Sequence, residues 1–378
     1  MRIAFHTPLN LFDDGGVSGD RRMARQLVAA LETLGHVVEP VRAGRGYLRS
    51  AESACFDRHL QEAEQLRENL FASCRAGAPR PDLWFTYHNY YRAPDLLGPA
   101  VAAAFGIPYI TAEASDSERR AHDQWAAQTA IVRHGLSNAD AHFHFTDRDR
   151  QGLEPWRKPG TALLDLPPFI TFDAVPPQRR DRPGPPRLIT IAMMREGTKQ
   201  NSYLTLARIL SRIPDAEWRL SVIGDGRQRG EIEQAFAGLP PGRIDWLGLI
   251  PRERALDELA AHDVFVWPGV REAYGLVYLE AQAVGLPVVA FDSGGVSATV
   301  MAGKTALLAP EGDEAAFAGN LLSLLGDRAM RQDMGAAARR FVLEERTSAR
   351  ATLRLAEGLE LACRHRRAKL AATGKRPS

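Results

Sequence analysis

Two carboxylates in one short stretch, Glu272 and Glu280, are the groups in this sequence best placed to bind a ligand. Glu272 lies in a loop that follows the apolar run 263–267, which predicts a buried strand of a parallel sheet. Glu280 lies inside a strongly apolar helix that is predicted to begin near Gly275 and to end at Gly285. A buried carboxylate is costly unless it is hydrogen-bonded, and the nearby sequence offers no obvious cation. We therefore expect a ligand hydroxyl to satisfy Glu280.

The start of the same helix predicts an anion site. The backbone N–H groups of Gly275, Leu276 and Val277, just after Tyr274, have no partner within a helix and point toward its N-terminus. Gly275 and Glu280 are separated by about 7–8 Å, since an α-helix rises ~1.5 Å per residue. This distance is similar to the step from a diphosphate to its ribose, so a nucleotide is predicted to lie along the helix.

These residues carry a resemblance to a known family. Glu272 and Glu280 with seven residues between them, the run 283–290 and the pair Gly294-Gly295 resemble the signature of retaining family 4 glycosyltransferases of the GT-B fold. In that family the first Glu contacts the donor sugar and the second contacts the ribose. The resemblance implies an α/β fold with two Rossmann-like domains whose parallel sheets face an interdomain cleft, and a nucleoside-diphosphate sugar as substrate without cofactor or metal.

A basic pair follows the predicted strand 187–192. Departure of a nucleoside diphosphate builds up negative charge, which a protein without a metal stabilises through fixed cations and N–H dipoles. The resemblance places the family's pyrophosphate-binding pair here, commonly an Arg five residues before a Lys. Arg195 is only four residues before Lys199, so Lys199 is the better match.

Glycine-containing turns are the remaining donor-side candidates. The resemblance assigns Gly15 and Gly16, after the first strand, to backbone contact with the donor diphosphate, although a plain turn would look the same. It also matches Gly224 to a Gly-Asp-Gly turn of the family, and it places Leu249 beside the nucleobase.

Polar side chains end two neighbouring strands of the first half. The runs 83–87 and 107–111 are predicted strands that deliver His88 and Glu113 to their carboxyl ends. Many family 4 enzymes carry a His where this chain has Glu113, and a Glu where it has Ala298. His88 or Glu113 is expected to supply part of the missing role toward the sugar; a satisfied surface histidine is the alternative for His88.

Length and proline content predict the domain organisation. A chain of 378 residues exceeds the ~250–300 residues at which single cores stop growing. We expect a first domain at 1–170, a proline-rich linker at 171–186 and a second domain at 187–347. By resemblance, a last helix at about 348–370 crosses back onto the first domain.

Composition excludes several classes of protein. A net charge of +2 gives no basis for polyelectrolyte binding of nucleic acid, and no apolar run reaches the ~18 residues of a membrane-spanning helix. The three cysteines show no metal or redox spacing, and the first residues are too mixed for a signal sequence, so we expect a cytoplasmic protein.

Two charged segments have alternative interpretations. The C-terminal tail could touch an anionic membrane surface, or it is simply a solvated helix end. Thr146 to Asp149 contains an Asp-x-Asp pattern used for metal binding in the other large glycosyltransferase fold, but Thr146 with Asp149 also predicts a helix cap, which we favour. The basic tail residues are Arg364, Arg366, Arg367, Lys369, Lys375 and Arg376.

The resulting prediction is a retaining, metal-independent glycosyltransferase with an unknown acceptor, which could be a glycan, a lipid or a small molecule. Two alternatives remain open. One is a nucleotide-sugar epimerase of the same two-domain architecture, and the other is a non-catalytic subunit that binds a nucleotide sugar.

Overall fold

The protein, described by a computed structural model over residues 1–13, 18–44 and 46–373, divides into two compact units. Unit 1 comprises Met1–Pro167 and the C-terminal residues from Ser348, and unit 2 comprises Pro168–Thr347. The predicted site residues Gly15 and Gly16 and the tail residues Lys375 and Arg376 lie outside the described ranges.

Unit 1 is built on a sheet of six parallel strands in the order β2-β1-β3-β4-β5-β6. Its central strand β3 is buried along its whole length, as expected for a parallel sheet covered by helices on both faces. The strands are β1 (Arg2–His6), β2 (Val37–Pro40), β3 (Leu83–Asn89), β4 (Tyr109–Ala114), β5 (Ala141–His144) and β6 (Ala162–Asp165).

Helices connect these strands. The first presents Met23, Leu27 and Leu31 at helical spacing to the core, and its N-cap Ser18 accepts a hydrogen bond from the backbone of Arg21. The helices are α1 (Gly19–Thr33), α2 (Ser53–Arg75), α3 (Gly98–Phe105), α4 (Glu118–Ala121), α5 (Ala126–Asn138) and α6 (Asp147–Leu153), with a 3₁₀ turn at Glu154–Trp156.

Unit 2 repeats the architecture with a second sheet of six parallel strands in the order β12-β11-β10-β7-β8-β9. Its strands are β7 (Arg187–Ile191), β8 (Arg219–Ile223), β9 (Ile244–Gly248), β10 (Val264–Val266), β11 (Val288–Asp292) and β12 (Ala306–Pro310). Its helices are α7 (Thr198–Ser211), α8 (Arg229–Phe236), α9 (Arg252–Ala260), α10 (Leu276–Ala283), α11 (Glu314–Gly326) and α12 (Arg328–Glu345), with a 3₁₀ turn at Val296–Ala298.

Each sheet has a point where the strand order reverses. In unit 1 this point lies between β1 and β3, and in unit 2 it lies between β7 and β10, which pair directly. The loops that leave such a pair of strands diverge to opposite sides of the sheet, so a crevice forms at the carboxyl ends, where open α/β sheets bind ligands. The carboxyl edge of each sheet is therefore where a ligand is expected to bind.

The proline-rich segment 171–186 is part of unit 2 and is bound to the rest of that unit. The backbone N–H of Arg179 donates to the carbonyl of Val284 at 2.7 Å, and the guanidinium of Arg339 donates to the carbonyl of Pro176 at 2.9 Å. Proline has no N–H group and interrupts regular secondary structure. The backbone groups of this segment therefore find their partners in other parts of the unit.

The C-terminal helix α13 (Ser348–Thr373) belongs to unit 1 and is anchored there by a buried carboxylate. Asp140 is fully buried, and its two oxygens accept from Arg366 at 2.7 Å and from Lys369 at 3.0 Å. The same carboxylate accepts from the backbone of Tyr109, so the helix is tied to the middle of the sheet.

None of the helices in the described ranges has the length and hydropathy of a transmembrane span.

The structure confirms one local prediction and contains elements that the sequence did not predict. Thr146 and Asp149 form a capping box at α6, which confirms the cap. The helix that follows β3 begins at Gly98, because Asp95 accepts from the backbone N–H groups of Leu97 and Gly98 just before and at its start. Strands β6 and β12, which complete the two sheets, were not predicted.

Replacing Gly358 by Ala is expected to loosen α13. An added Cβ would lie 2.1 Å from the ring of the buried Phe143. A helical Gly→Ala change is normally stabilising, so a loss of about 1–3 kcal/mol in the free energy of unfolding would report the clash. Gly319→Ala in α11, where nothing lies within 4 Å, is the matched control and is expected to be neutral or stabilising. Urea unfolding measures both, and equal effects of the two changes would contradict the packing argument.

Candidate functional site

The carboxyl edge of unit 2 brings together two of the predicted site residues. Lys199 lies in the first turn of α7, which follows β7, and Glu272 lies in the loop that follows β10. The Lys199 ammonium nitrogen and Glu272 Oε2 are 2.5 Å apart, and the side chains are 19% and 14% exposed. A cation in the first turn opposes the helix dipole, and the carboxylate offsets this cost. The ion pair lies at the strand-order reversal of the sheet.

Trp267 contacts both members of this ion pair. Its indole Nε1 donates to Glu272 Oε2 at 3.3 Å, and the Lys199 ammonium lies 5.7 Å from the centre of its ring system. Trp267 is itself fully buried and packs edge-on against Tyr203. Sequence reasoning treated Trp267 only as the end of an apolar strand, although a Trp whose N–H needs a partner at a strand end was a usable signal.

The backbone around Glu272 is fixed by a tight turn. Arg271 adopts a left-handed conformation with φ +51°, and its N–H donates to Ser293 Oγ at 2.8 Å. The carbonyl of Glu272 accepts from the N–H of Gly295 at 3.0 Å. A Cβ on Gly294 would lie 1.9 Å from that same carbonyl oxygen, so only glycine lets the two loops approach. The Gly294-Gly295 pair thus positions the first carboxylate of the signature.

Helix α10 begins where the sequence predicted. Gly275 is its N-cap with φ +75°, and a Cβ there would lie 2.7 Å from the ring of Tyr278. Leu276 is buried and Val277 is half-buried, and their backbone N–H groups belong to the first turn of the helix. Tyr274 is buried, and its carbonyl accepts from Thr299 Oγ1 at 3.1 Å. This hydrogen bond holds the backbone of Tyr274 at the turn that precedes α10.

The prediction that Glu280 has no nearby cation is wrong. Arg252, the first residue of α9, donates from Nε to Glu280 Oε1 at 3.1 Å, and the Glu280 side chain is 14% exposed. The two residues are 28 positions apart in the chain and meet because α9 packs beside α10. The carboxylate is therefore satisfied within the protein, and burial alone no longer requires a ligand there.

The other donor-side candidates have different environments. Gly224 is crowded: with φ +144°, a Cβ there would lie 1.9 Å from the carbonyl oxygen of Ala192, the residue just after β7. Arg195 is exposed in the loop before α7, and Leu249 is 65% exposed just after β9. Gly224 thus lets the β8 loop cross the β7 loop closely, while Arg195 and Leu249 remain accessible.

The carboxyl edge of unit 1 brings His88 and Glu113 side by side. Both have left-handed backbones, with φ of +65° and +51°, on adjacent strands β3 and β4. His88 Nδ1 lies 3.8 Å from Glu113 Oε1, and His88 Nε2 lies 3.9 Å from Asp20 Oδ1, at the start of α1. Asp20 was not recognised from the sequence. Positive φ at non-glycine residues costs about 1–3 kcal/mol each and commonly marks functional sites.

The protonation of His88 follows from its burial. Burial lowers the pKa of His88 from its usual value, although the Asp20 carboxylate acts in the opposite direction. Nε2 makes no hydrogen bond to any residue in the described part of the chain. At neutral pH this histidine is therefore an uncharged group whose buried Nε2 is left without a hydrogen-bond partner in the described part of the chain.

A buried carboxylate beneath this edge was also missed. Asp95 accepts from His6 Nδ1 at 3.1 Å, from Thr86 Oγ1 at 2.6 Å and from the Tyr109 hydroxyl at 2.9 Å. Burial raises the pKa of Asp95, but the charge of His6 and these hydrogen bonds outweigh it and bring the pKa to about 2. An ionised, acceptor-only Asp95 therefore links side chains from β1, β3 and β4. Across the described ranges, no cluster of His, Cys, Asp and Glu has the geometry of a metal site.

Gly294→Ala is expected to destabilise unit 2 strongly. Gly294 and Gly303 have similar left-handed conformations, with φ of +60° and +73°, but only Gly294 is crowded by the Glu272 carbonyl. Gly303→Ala should therefore cost only the left-handed penalty of about 1–2 kcal/mol. Gly294→Ala should cost about 1–3 kcal/mol more, because a backbone must move. Urea unfolding of the two variants tests this, and equal losses would mean that the turn does not constrain Glu272.

Sequence comparison places unit 2 among known proteins. The family description "Glycosyl transferases group 1" matches residues 185–327. The chain is similar to the sulfoquinovosyl transferase SQD2 of Arabidopsis thaliana, with 35% identity over 41% of this chain and 30% of that protein. It is also similar to a D-inositol 3-phosphate glycosyltransferase of Pseudarthrobacter chlorophenolicus, with 28% identity over 66% of this chain and 64% of that protein. The chain thus spans less than two thirds of either relative.

Solved structures extend the similarity to both units. Sucrose-phosphate synthase from Thermosynechococcus elongatus superposes with a TM-score of 0.71 at 19% identity, covering 94% of this chain and 97% of that one. Anabaena HepE in complex with UDP-glucose superposes with a TM-score of 0.68 at 15% identity, covering 95% and 99%. The chain therefore has the GT-B fold of two Rossmann-like units, and its residues 185–327 carry the sequence pattern of glycosyl transferases group 1.

Proposed function

We propose that this protein is a glycosyltransferase that binds a nucleoside-diphosphate sugar on unit 2 and transfers the sugar to an acceptor. The observation that carries the proposal is the Lys199–Glu272 ion pair. It lies at the strand-order reversal of the sheet, inside the segment that matches glycosyl transferases group 1. A cation, a carboxylate and a helix N-terminus at one sheet edge suit a substrate with a diphosphate and a sugar.

The diphosphate is assigned to Lys199 and to the N-terminus of α10. As the sugar–phosphate bond breaks, negative charge grows on the diphosphate, and a fixed ammonium group with backbone N–H dipoles stabilises it. Exposed Arg195 is positioned in the same loop to add a second cation. Glu272, oriented by Trp267 and the Gly294-Gly295 turn, is assigned to the sugar hydroxyls. These groups need no metal, and we propose a metal-independent reaction.

Retention at the anomeric carbon follows from the resemblance to family 4. In the mechanism of that family, the leaving phosphate takes the acceptor proton on the same face of the sugar. His88 and Glu113 of unit 1 are assigned to the acceptor, since His88 is uncharged at neutral pH and its Nε2 has no hydrogen-bond partner in the described part of the chain. A cytoplasmic location remains part of this proposal. Contact of the basic tail with anionic lipid would rest on residues such as Arg364 and Arg367, because Arg366 and Lys369 pair with the buried Asp140.

The relatives suggest which substrates to test first. Besides the D-inositol 3-phosphate glycosyltransferase, the relatives include a GDP-mannose-dependent phosphatidylinositol monomannoside mannosyltransferase of Mycolicibacterium smegmatis, and HepE was solved with UDP and with UDP-glucose. A panel of UDP- and GDP-sugars with polyol-phosphate and lipid acceptors is therefore the first choice. Interconversion of the sugar without transfer would instead indicate an epimerase.

Nucleoside diphosphates are expected to stabilise the protein, and Lys199→Ala is expected to remove most of this effect. A ligand present at 100 times its Kd adds about 2.7 kcal/mol to the free energy of unfolding, which thermal shift detects with UDP, GDP, ADP and dTDP. Losing a charge-assisted contact of about 1.5–3 kcal/mol should weaken binding roughly 10- to 100-fold. Lys304→Ala, an exposed lysine of the same unit, is the control. Equal binding by both variants would exclude Lys199 from the diphosphate site.

Glu272→Gln is expected to cut turnover while leaving the fold intact. The amide keeps the size of the carboxylate but loses the charge that pairs with Lys199 and orders the sugar hydroxyls. On the same scale of about 1.5–3 kcal/mol, kcat should fall roughly 10- to 100-fold in a donor-hydrolysis or transfer assay. Glu311→Gln, an exposed carboxylate of unit 2, serves as the control. An unchanged kcat in Glu272→Gln would remove this residue from the reaction.

A further inference from the structure

Arg252 is held in one orientation by three contacts. Its Nε donates to Glu280 Oε1 at 3.1 Å, its Nη2 donates to the carbonyl oxygen of Thr171 at 3.0 Å, and its guanidinium carbon lies 5.5 Å from the centre of the Phe172 ring. The planar guanidinium has donors in a rigid fork, so contacts on two edges and one face define its position. Because two of the three contacts come from the segment 171–172, Arg252 stays in place independently of Glu280.

The location of Arg252 is unfavourable for its own helix. It is the first residue of α9, where a positive charge opposes the helix dipole. The compensating group is the carboxylate of Glu280 on the neighbouring helix α10. An ionised carboxylate offers about four lone-pair sites, and the hydrogen bond from Arg252 uses one of them.

We propose that Arg252 is a positioning residue, which presents the Glu280 carboxylate to the two vicinal hydroxyls of the donor's ribose. This inference rests on the proposed function. Glu280 is the fifth residue of α10, and a diphosphate at the helix N-terminus would place its ribose about 7–8 Å along the axis, at the level of Glu280. With one oxygen tied to Arg252, the carboxylate does not rotate away, and both ribose hydroxyls meet an oriented acceptor.

The opposite role is also physically conceivable, and the two roles predict effects of opposite sign. If Arg252 occupied Glu280 in place of the ribose, the ligand would have to displace it, and removing the arginine would tighten binding. If Arg252 positions Glu280, removing it weakens binding, and only for ligands that carry the ribose hydroxyls. The anchoring by Thr171 and Phe172 favours positioning, since a displaced guanidinium would also lose these contacts.

Calorimetric titration separates the two roles. The ligands are UDP, GDP and ADP, the 2′-deoxy and 3′-deoxy counterparts of whichever binds best, and inorganic pyrophosphate, which has no ribose. In the wild-type protein each missing hydroxyl is expected to weaken binding about 10-fold, a typical loss for a hydrogen bond to a charged group. In Arg252→Ala the ribonucleotide should weaken about 10-fold. Each missing hydroxyl should then cost less than it does in the wild type, and pyrophosphate should bind as it does to the wild type.

Matched variants keep the result interpretable. Arg254→Ala, an exposed arginine of the same helix, should leave every affinity unchanged. Arg252→Lys keeps the charge but not the forked arrangement of donors. It should therefore weaken ribonucleotide binding less than Arg252→Ala does. Glu280→Gln should lose the same increment as Arg252→Ala, and the double variant should lose no more than either, because both changes act on one interaction.

Each outcome decides between defined alternatives. An increment per hydroxyl that is unchanged in Arg252→Ala and in Arg252→Lys, or tighter ribonucleotide binding by either, overturns the positioning role while leaving the proposed function in place. No binding of any nucleoside diphosphate to the wild-type protein overturns both. If Arg252→Ala does not fold, Arg252→Lys and Glu280→Gln carry the comparison alone.

Discussion

The ion pair between Lys199 and Glu272 is the interaction on which the candidate site depends. It forms only because β7 and β10, which are separated by two other strands in the chain, lie side by side in the sheet. The loops that leave them therefore meet at the carboxyl edge. Trp267 closes one side of the pair, and the Gly294-Gly295 turn fixes its backbone. Without this strand order, or without glycine at position 294, the two charged side chains would not be brought together.

Backbone strain marks the same edges in both units. Within the described ranges, the non-glycine residues with positive φ are His88, Glu113 and Arg271. Each lies at or just beyond the carboxyl end of a strand, and Arg271 directly precedes Glu272. A left-handed non-glycine residue is unfavourable by about 1–3 kcal/mol and persists only where surrounding contacts determine it. The close approach of His88 to Glu113 is thus a feature that the packing of β3 and β4 imposes, and its cost points to a functional role in unit 1.

The sequence predicts the parts of this structure that depend on local signals. Apolar runs bounded by glycine and proline identify most of the strands, and Gly275 identifies the start of α10, because strand burial and helix capping act over a few residues. Strands β6 and β12 were missed because their apolar residues are alanine and leucine, without the β-branched and aromatic residues that favour strands. Arg252 could not be assigned to Glu280, since 28 residues of chain separate them and only the packing of α9 against α10 unites them. The meaning of Gly294 was equally hidden, because its neighbour is the Glu272 carbonyl.

Both carboxylates of the signature are paired with cations in the structure, Glu272 with Lys199 and Glu280 with Arg252, and this changes how binding should be understood. A lone buried carboxylate would demand a ligand, whereas a paired one is already ordered and partly removed from water. A ligand that arrives at such a site meets side chains whose conformational freedom was lost during folding, so less ordering opposes association. At Glu272 the diphosphate and the sugar would compete for the contacts of the existing ion pair with Lys199. At Glu280 the ribose would bind beside the existing ion pair with Arg252. The first carboxylate then responds to the charge that develops in the reaction, and the second sets the position of the nucleotide.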